Sequence, residues 1–484
     1  MKQKDFIINL IILLGLNLLI KPFWVFGIDA GVQTSVGATQ YGAYFAVFNF
    51  TFLFNMLLDM GITNFNNRNI ACHTHLLTKH LSGILTLKLV LGFAYLILVF
   101  ILGFIIGYRD FQLKILFWTA INQFLNSFIL YLRSNISALF MFKTDSFLSV
   151  IDRLIMIVIC SILLWGNAID QPFKIEWFVY SQSFAYVISA TIALIIVTNK
   201  ATELPVHWNW SFARLILRKS LPFAILHLLM SFYNRIDSVM IERILPASIA
   251  DFETGIYASA FRFLDALVMI SYLFSVILLP LFSRMLKEKT NLIPIVKTSF
   301  SLLVFFSVTA TVILIFFRFP VLELIYKNNI TESAWVLQFL IPCIIPISFT
   351  YIFGTLLTAN GNMKMMNIIS FIGILVNVLV NFILIPKLHA TGAAIASLST
   401  QSVVATAQLC VIARQLKFSL KSLPWLRSLI YCALLIPTTC LLHAKLTLNP
   451  LITLLIAGVC AYGLALVSGL FSVKEVLRLK RERG

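Results

Sequence analysis

The feature that most constrains this chain is the recurrence of long apolar runs. Runs of 18 or more apolar residues follow one another along almost the whole sequence. Runs of this length cross a bilayer as helices, whereas the strands of a membrane barrel are shorter and alternate in polarity. Soluble proteins are about 45–50% apolar and roughly a quarter charged, but this chain is 60% hydrophobic and 12% charged. The sequence therefore predicts an all-α polytopic membrane protein, and excludes a cytosolic enzyme, a secreted disulfide scaffold and a nucleic-acid-binding protein.

Hydropathy predicts fourteen transmembrane helices. They lie near residues 6–26, 43–63, 81–106, 115–140, 147–166, 177–198, 221–241, 254–282, 298–317, 333–358, 366–386, 391–413, 428–443 and 451–471. The first run follows two lysines, as a signal peptide would, but no small-residue cleavage site comes after it. We therefore interpret it as the first transmembrane helix.

The distribution of lysine and arginine predicts the orientation of these helices. The net charge is +18, and with the N terminus inside, the inner connections hold 23 Lys and Arg residues against 8 in the outer ones. Cytoplasmic loops carry such an excess, so we expect both termini in the cytoplasm. The longest outer connections are predicted at Gly27–Gly42 and Arg318–Glu332, which leaves no room for an outer catalytic domain.

A short motif predicts two halves of the same design. The second and the eighth predicted spans both open with the pattern G-x-Y-x-x-x-F-x-F, at Gly42 and at Gly255. Because six crossings separate the two copies, the second copy inserts the same way up, as in transporters built from parallel repeats. We therefore expect six-helix lobes at residues 1–200 and 201–427, with two additional helices and a basic cytoplasmic tail at 428–484.

Ionisable residues inside the predicted spans indicate a cavity, because a charge in hydrocarbon is costly unless it faces water or a partner. The cations outnumber the acids by two. The cations are Lys21, Lys88, Arg133, Arg153, Arg235 and Arg262. The acids are Asp59, Asp152, Asp237 and Asp265.

Depth separates these charges. Lys21, Lys88, Arg133 and Arg153 lie near enough to helix ends to snorkel, whereas the other two cations lie deeper. Small and polar stripes around them would also suit helix packing. Since arginine forks match phosphate geometry, we expect all six cations to line a substrate cavity for an anionic, phosphate-bearing cargo.

Motifs for other chemistry are missing from the sequence. No glycine-rich loop ends in Lys-Ser or Lys-Thr, so we expect no ATPase activity. The seven cysteines show no pairing rhythm, and neither disulfides nor a metal site is expected. No Ser/His/Asp arrangement stands out. We therefore expect a protein that is not an enzyme and that has no cofactor.

Three stretches carry a resemblance to a known family. They are Tyr41-Gly-Ala-Tyr44 with Leu57-Leu-Asp59-Met-Gly61, Leu221-Pro222 through Arg235-Ile-Asp237 with Gly255-Ile-Tyr257 and Leu279-Pro280, and Asn377 through Ile385-Pro386 with Gly392-Ala-Ala. With these stretches and its span count, the chain resembles the polysaccharide-biosynthesis flippases of the multidrug/oligosaccharidyl-lipid/polysaccharide exporter superfamily, O-antigen flippases in particular.

The resemblance implies a function and a site. Members of that family move undecaprenyl-diphosphate-linked oligosaccharides, such as O-antigen or capsule units, across the cytoplasmic (inner) membrane by alternating access, on a fold like that of the multidrug exporters. It implies that Arg235 and Arg262 contact the diphosphate or an acidic sugar. It also implies coupling to a H⁺ or Na⁺ gradient, with Asp59, Asp237 and Asp265 as coupling or structural acids. The expected partners are the glycolipid substrate, membrane lipids and other polysaccharide-assembly membrane proteins, but no nucleic acid.

Two other functions stay open at this point. A multidrug or cation antiporter of the same superfamily would share the architecture, but its cavity should be acidic. A membrane-embedded polysaccharide polymerase or ligase would serve the same biosynthesis, but it would usually carry a large outer loop.

Overall fold

The chain is all-α in the part that the structure describes. A computed structural model describes residues 15, 19–20 and 22–470, except for 64–65, 68–69, 71–75, 167–170, 202–209, 416–419 and 446–448. No strand occurs among these residues, and ten helices are long and apolar enough to cross a membrane. The prediction of an all-α polytopic membrane protein is confirmed.

The helices form two compact units, residues 1–255 and 256–484. The first unit opens with a π-helix at Phe23–Asp29, which leads into α1 (Ala30–Leu53) and a 3₁₀ turn at Asn55–Leu58. Its other helices are α2 (Leu76–Ile105), α3 (Asp110–Ala138), α4 (Phe142–Leu148), α5 (Ile151–Trp165), α6 (Ile175–Thr198), α7 (Trp210–Ile244) and the first nine residues of α8 (Ala247–Glu288). Within this unit, α1 packs against α3, α5, α6 and α7.

The second unit contains the rest of α8 and the helices that follow. These are α9 (Ile293–Phe316), α10 (Arg318–Glu323), α11 (Ile330–Leu340), α12 (Ile344–Ala359), α13 (Met363–Gln415), α14 (Trp425–Lys445) and α15 (Pro450–Val467). The two C-terminal helices pack on α9, and the Tyr431 hydroxyl lies 2.6 Å from that of Thr309. The lobes predicted at 1–200 and 201–427 are repeats of one six-helix design, whereas the two units are defined by which residues pack together. The lobes therefore stay a prediction.

Most predicted spans coincide with helices of the structure. Eleven of the fourteen fall in the ten membrane-length helices, because α13 contains two of them. This helix breaks at His389, where φ is 52°, close to Pro386. The spans 43–63 and 221–241 overlap α1 and α7. The span 6–26 lies mostly outside the described residues, as does the basic tail.

The outer connection predicted at Gly27–Gly42 is wrong, because this segment is helical. The π-helix runs to Asp29 and α1 begins at Ala30, with a single non-helical residue at Gly37, where φ is 81°. Glycine adopts this φ without the steric penalty of a Cβ atom. Polar residues such as Gln33 and Gln40 lower the hydropathy of the segment and hide its helical character.

The two glycines of the repeated motif meet in the first unit. A Cβ atom on Gly42 would lie 1.8 Å from the Asp251 carbonyl oxygen, and one on Gly255 would lie 2.0 Å from the Ala38 carbonyl oxygen. The Gln33 side-chain amide donates to the Gly255 carbonyl over 2.8 Å. Helix α1 and the start of α8 therefore cross with their backbones in contact, as small residues allow in membrane helices.

This crossing predicts the effect of a single methyl group. We expect Gly42→Ala and Gly255→Ala each to destabilise the protein by roughly 1–3 kcal/mol, because the methyl group would overlap backbone atoms of the other helix. The measurement is thermal unfolding of the detergent-solubilised protein. Gly458→Ala in α15 is the matched control, since nothing lies within 4 Å of the added atom. Equal stability of all three variants would contradict the crossing.

Candidate substrate-binding site

Lys88 and Asp59 form an ion pair just after α1, in which the Lys88 side chain is buried and the Asp59 side chain is 25% exposed. The Lys88 ammonium is 1% exposed and contacts Asp59 Oδ1 at 2.5 Å, the Leu58 carbonyl oxygen at 3.0 Å and Ser127 Oγ at 3.1 Å. An ammonium has three N–H donors, and each has an acceptor here. Asp59 also accepts hydrogen bonds from Thr63. The pair fastens the break after α1 to α2 and α3, and the expected role of Lys88 in substrate binding stays a prediction.

Arg133 also bonds to a neighbouring acid. Its Nε lies 2.8 Å from Asp145 Oδ1, and the two side chains are 20% and 15% exposed. Asp145 belongs to the short helix α4, so the ion pair holds α4 against the end of α3. This contact explains the packing of Arg133, and its role as a cavity cation stays a prediction.

Arg153 is held against two aromatic rings. Its guanidinium carbon lies 5.2 Å from the centre of the Trp24 ring and 5.9 Å from that of Tyr186, whose hydroxyl lies 3.3 Å from Arg153 Nη2. Asp152 lies 3.6 Å away, and a quarter of the Arg153 side chain is exposed. Close by in sequence to Trp24, Asp29 accepts a hydrogen bond from the Tyr41 hydroxyl over 3.1 Å. This arrangement leaves an arginine accessible beside a set of hydroxyls and rings.

Arg235 projects from α7 towards α1. Its guanidinium carbon lies 5.1 Å from the centre of the Phe52 ring, and its side chain is partly exposed. Two residues further on, Asp237 is 1% exposed. Residues two apart point to opposite sides of a helix, so the arginine and the aspartate occupy different environments. The structure brings Arg235 to an aromatic face and buries Asp237 in the packing of α7.

Arg262 and Asp265 lie on α8 within the second unit. Arg262 is 5% exposed and Asp265 is partly buried. One turn earlier, the Ser259 hydroxyl lies 2.8 Å from that of Ser333, and the Tyr326 hydroxyl donates to the Ser259 carbonyl over 3.4 Å. The predicted polar face of α8 is therefore packed against α11 at this level. Lys21, the remaining predicted cation, lies outside the described residues.

The sequence reasoning missed a set of aromatic rings on α1. Tyr44, Phe48 and Phe52 follow one another at intervals of four residues, with ring centres 5.9 and 6.3 Å apart. Side chains at this spacing share one side of a helix. The spacing is readable in the sequence, but a chain with 43 phenylalanines offers many such intervals by chance.

The sequence analysis also missed a set of contacts that Arg243 makes at the end of α7, which we call the clamp. Arg243 donates to the Ile106 carbonyl and to Gln112 Oε1, both over 3.1 Å, and to Glu242 over 2.6 Å. Its guanidinium lies 4.4 Å from the centre of the Tyr108 ring. Ile106 and Tyr108 belong to the connection between α2 and α3, and Gln112 belongs to the first turn of α3, so the clamp fixes the end of α7 inside the first unit.

Comparison with family models gives two matches. A model described as polysaccharide biosynthesis protein matches residues 11–286, which is more than half of the chain. A second model, MatE, matches residues 222–383. No curated protein matches the sequence itself.

Several solved structures share the fold. The lipid II flippase MurJ, in an inward closed conformation, superposes with a TM-score of 0.71 at 13% identity, over 95% of this chain and 98% of that one. An inward-facing multidrug resistance MATE family transporter of the MOP superfamily gives 0.64 at 14% identity, over 82% and 96%. The Vibrio cholerae MATE transporter VcmN in its bent form gives 0.53 at 14% identity, over 86% and 97%. The fold is that of this group of transporters.

The ion pair of Lys88 and Asp59 predicts a pattern of stabilities. We expect Asp59→Asn alone to cost about 3–5 kcal/mol, because it leaves the buried Lys88 charge without its counter-charge. Lys88→Met should cost less, because the Asp59 side chain is 25% exposed. The double variant should recover a large part of that loss. Thermal unfolding in detergent measures all three. The control is Arg284→Gln, which removes an exposed pair with Glu288 and should leave stability unchanged. Additive losses in the double variant would contradict the pairing.

Proposed function

Because the chain belongs to the polysaccharide biosynthesis protein family, we propose that it moves a lipid-linked oligosaccharide from the cytoplasmic to the outer leaflet by alternating access. The cargo we propose is an undecaprenyl-diphosphate-linked unit of a surface polysaccharide, such as an O-antigen or capsule unit. The glycan headgroup passes through the polar interior of the protein, while the lipid tail stays in the bilayer.

The observation that carries this proposal is the position of Arg235. Arginine inside a membrane helix is costly unless it serves a cavity or a partner. Arg235 is partly exposed beside an aromatic ring, on a side of α7 that also bears His227, Ser231 and Asn234, all exposed or partly exposed. A planar guanidinium binds two phosphate oxygens at once. This side of α7 suits a diphosphate or an acidic sugar better than a cation.

We propose an orientation of the protein from its charges. The excess of basic residues in alternate connections supports cytoplasmic termini in the inner membrane. The basic tail at 474–483 would then lie against anionic lipids of the inner leaflet. Other polysaccharide-assembly membrane proteins are the partners we propose, since the cargo must be made on one side of the membrane and used on the other.

We also propose that an ion gradient drives transport, with H⁺ or Na⁺ as the coupling ion. The acids available are Asp59, Asp237 and Asp265. In proteoliposomes, collapse of the H⁺ gradient alone or of the Na⁺ gradient alone should lower glycolipid transfer several-fold. Transfer that is unchanged after both gradients are removed would contradict coupling.

A second candidate is export of cationic compounds, which the MatE match and the MATE structures favour. A cavity for cations should be acidic, and the partly exposed Arg235 on α7 opposes that cargo. A polymerase or ligase has no support from the geometry, and we assign no catalytic residue.

Arginine variants test the proposed transport. We expect Arg235→Ala with Arg262→Ala to reduce glycolipid transfer at least tenfold, because the guanidinium groups that bind the diphosphate are lost. Arg235→Lys with Arg262→Lys keeps both positive charges but lacks the planar guanidinium that binds two phosphate oxygens. This double variant should retain part of the activity. Arg284→Ala, on an exposed part of α8, is the control.

The measurement uses glycolipid extracted from depleted cells that express each variant, with leaflet assignment by an impermeant glycan probe. Size-exclusion profiles confirm that each variant is folded. Full transfer by the double alanine variant would overturn the arginine assignment. If no glycolipid accumulates after depletion while efflux of cationic dyes falls, the protein is a cation exporter instead.

A further inference from the structure

Two phenylalanine rings of α1 are partly exposed in a stretch that is otherwise buried. Between Tyr41 and Leu53, every residue is buried except Phe48 and Phe52, which are partly exposed. Since α1 is packed by four helices of its own unit, an exposed apolar ring there is unlike the lipid-facing side chains of outer helices. Of the two rings, Phe52 lies beside Arg235 of α7.

The rings form a continuous surface that ends at an arginine. Phe48 lies one turn from Tyr44 and one turn from Phe52, with ring centres 5.9 and 6.3 Å apart. The Arg235 guanidinium then lies 5.1 Å from the centre of the Phe52 ring. We name the set Phe48, Phe52 and Arg235 the aromatic track.

The track opens towards one end of its helices. Helices α1 and α7 run antiparallel here, because Phe52 meets Arg235 while Phe54 meets Phe232. On α7, residues 237–242 are buried, whereas residues 228–232 are partly exposed. Residues 41–47 of α1 are buried, whereas residues 54–57, just after this helix, are partly exposed. The track is therefore more exposed towards Phe54 than towards Tyr44.

The chemistry of the track fits a sugar beside an anionic group. The face of an aromatic ring is negative and its contacts with C–H groups are favourable, and the less polar face of a sugar ring presents such groups. A cationic ligand would meet the same rings, but the fixed positive charge of Arg235 beside Phe52 repels it. The observations therefore favour a glycan with an adjacent phosphate or carboxylate.

We propose that Phe48 and Phe52 stack against sugar rings of the cargo while Arg235 binds its anionic group. The aromatic track then binds the glycan as well as the diphosphate. This inference rests on the proposed function and adds the part of the site that distinguishes a glycolipid from its bare lipid carrier.

Two probes separate these contributions in binding to the full-length protein in nanodiscs. One is farnesyl diphosphate, and the other is farnesyl diphosphate that carries one N-acetylglucosamine. We expect the wild type to bind the sugar-bearing probe more tightly. Phe48→Leu and Phe52→Leu should each weaken that probe roughly tenfold, which corresponds to about 1.4 kcal/mol, and leave farnesyl diphosphate unchanged. Arg235→Gln should weaken both probes.

Conservative and remote variants control for packing effects. Phe48→Tyr and Phe52→Tyr keep a ring and should keep the preference for the sugar. Phe93→Leu changes a 67% exposed ring on α2 and should leave the binding of both probes unchanged.

If Phe48→Leu and Phe52→Leu both keep the full preference for the sugar-bearing probe, the role of the aromatic track is contradicted while the proposed function stands. Failure of the wild type to bind either probe would overturn both, and tight binding of tetraphenylphosphonium that depends on the two rings would assign the track to cations.

Discussion

Hydrocarbon offers no hydrogen-bond partner to a backbone group, so each break in a membrane helix has to be satisfied by the protein itself. The break after α1 shows how this is done. The Leu58 carbonyl accepts hydrogen bonds from Lys88 at 3.0 Å and from Ser127 at 3.2 Å. An ammonium group reaches this depth only because Asp59 neutralises it. The position at which α1 ends, and with it the exposure of the residues just before that end, depends on this interaction.

The cations within the predicted spans do not all have the same surroundings. Lys88 and Arg133 each hold a short helix or a helix break through an acid, and their charges are neutralised where they lie. Arg153 and Arg235 lie against aromatic rings, and Arg153 also has the Asp152 carboxylate 3.6 Å away. A count of charges treats these groups alike, although their surroundings differ. The count alone therefore does not give the charge that a ligand would meet.

Much of the fold was predictable from hydropathy, because membrane helices are selected by length and apolarity alone. The two spans within α13 were separated correctly even though the chain turns between them at a single residue, His389. The helical character of 27–42 was not predictable in this way, since polar residues such as Gln33 and Gln40 lower the hydropathy of the segment. The sequence identifies Lys88 and Asp59 as charges within predicted spans, but 29 positions separate them, and periodicity does not indicate which cation contacts which acid. The glycines of the repeat were found as a motif, while their mutual contact depends on the crossing of two helices.

Two contacts of α1 differ in strength. Just past its C-terminal end, at Asp59, an ion pair and its hydrogen bonds fix the chain, and separation would leave the buried Lys88 charge in an apolar environment. Near its middle, at Gly42, the contact consists of backbone surfaces and one neutral hydrogen bond from Gln33. Separation there exposes little polar surface and no charge, and its free-energy cost is correspondingly small. If α1 moves during transport, we expect it to pivot about its Asp59 end, so that the glycine crossing opens while the break beside Phe52 keeps its shape.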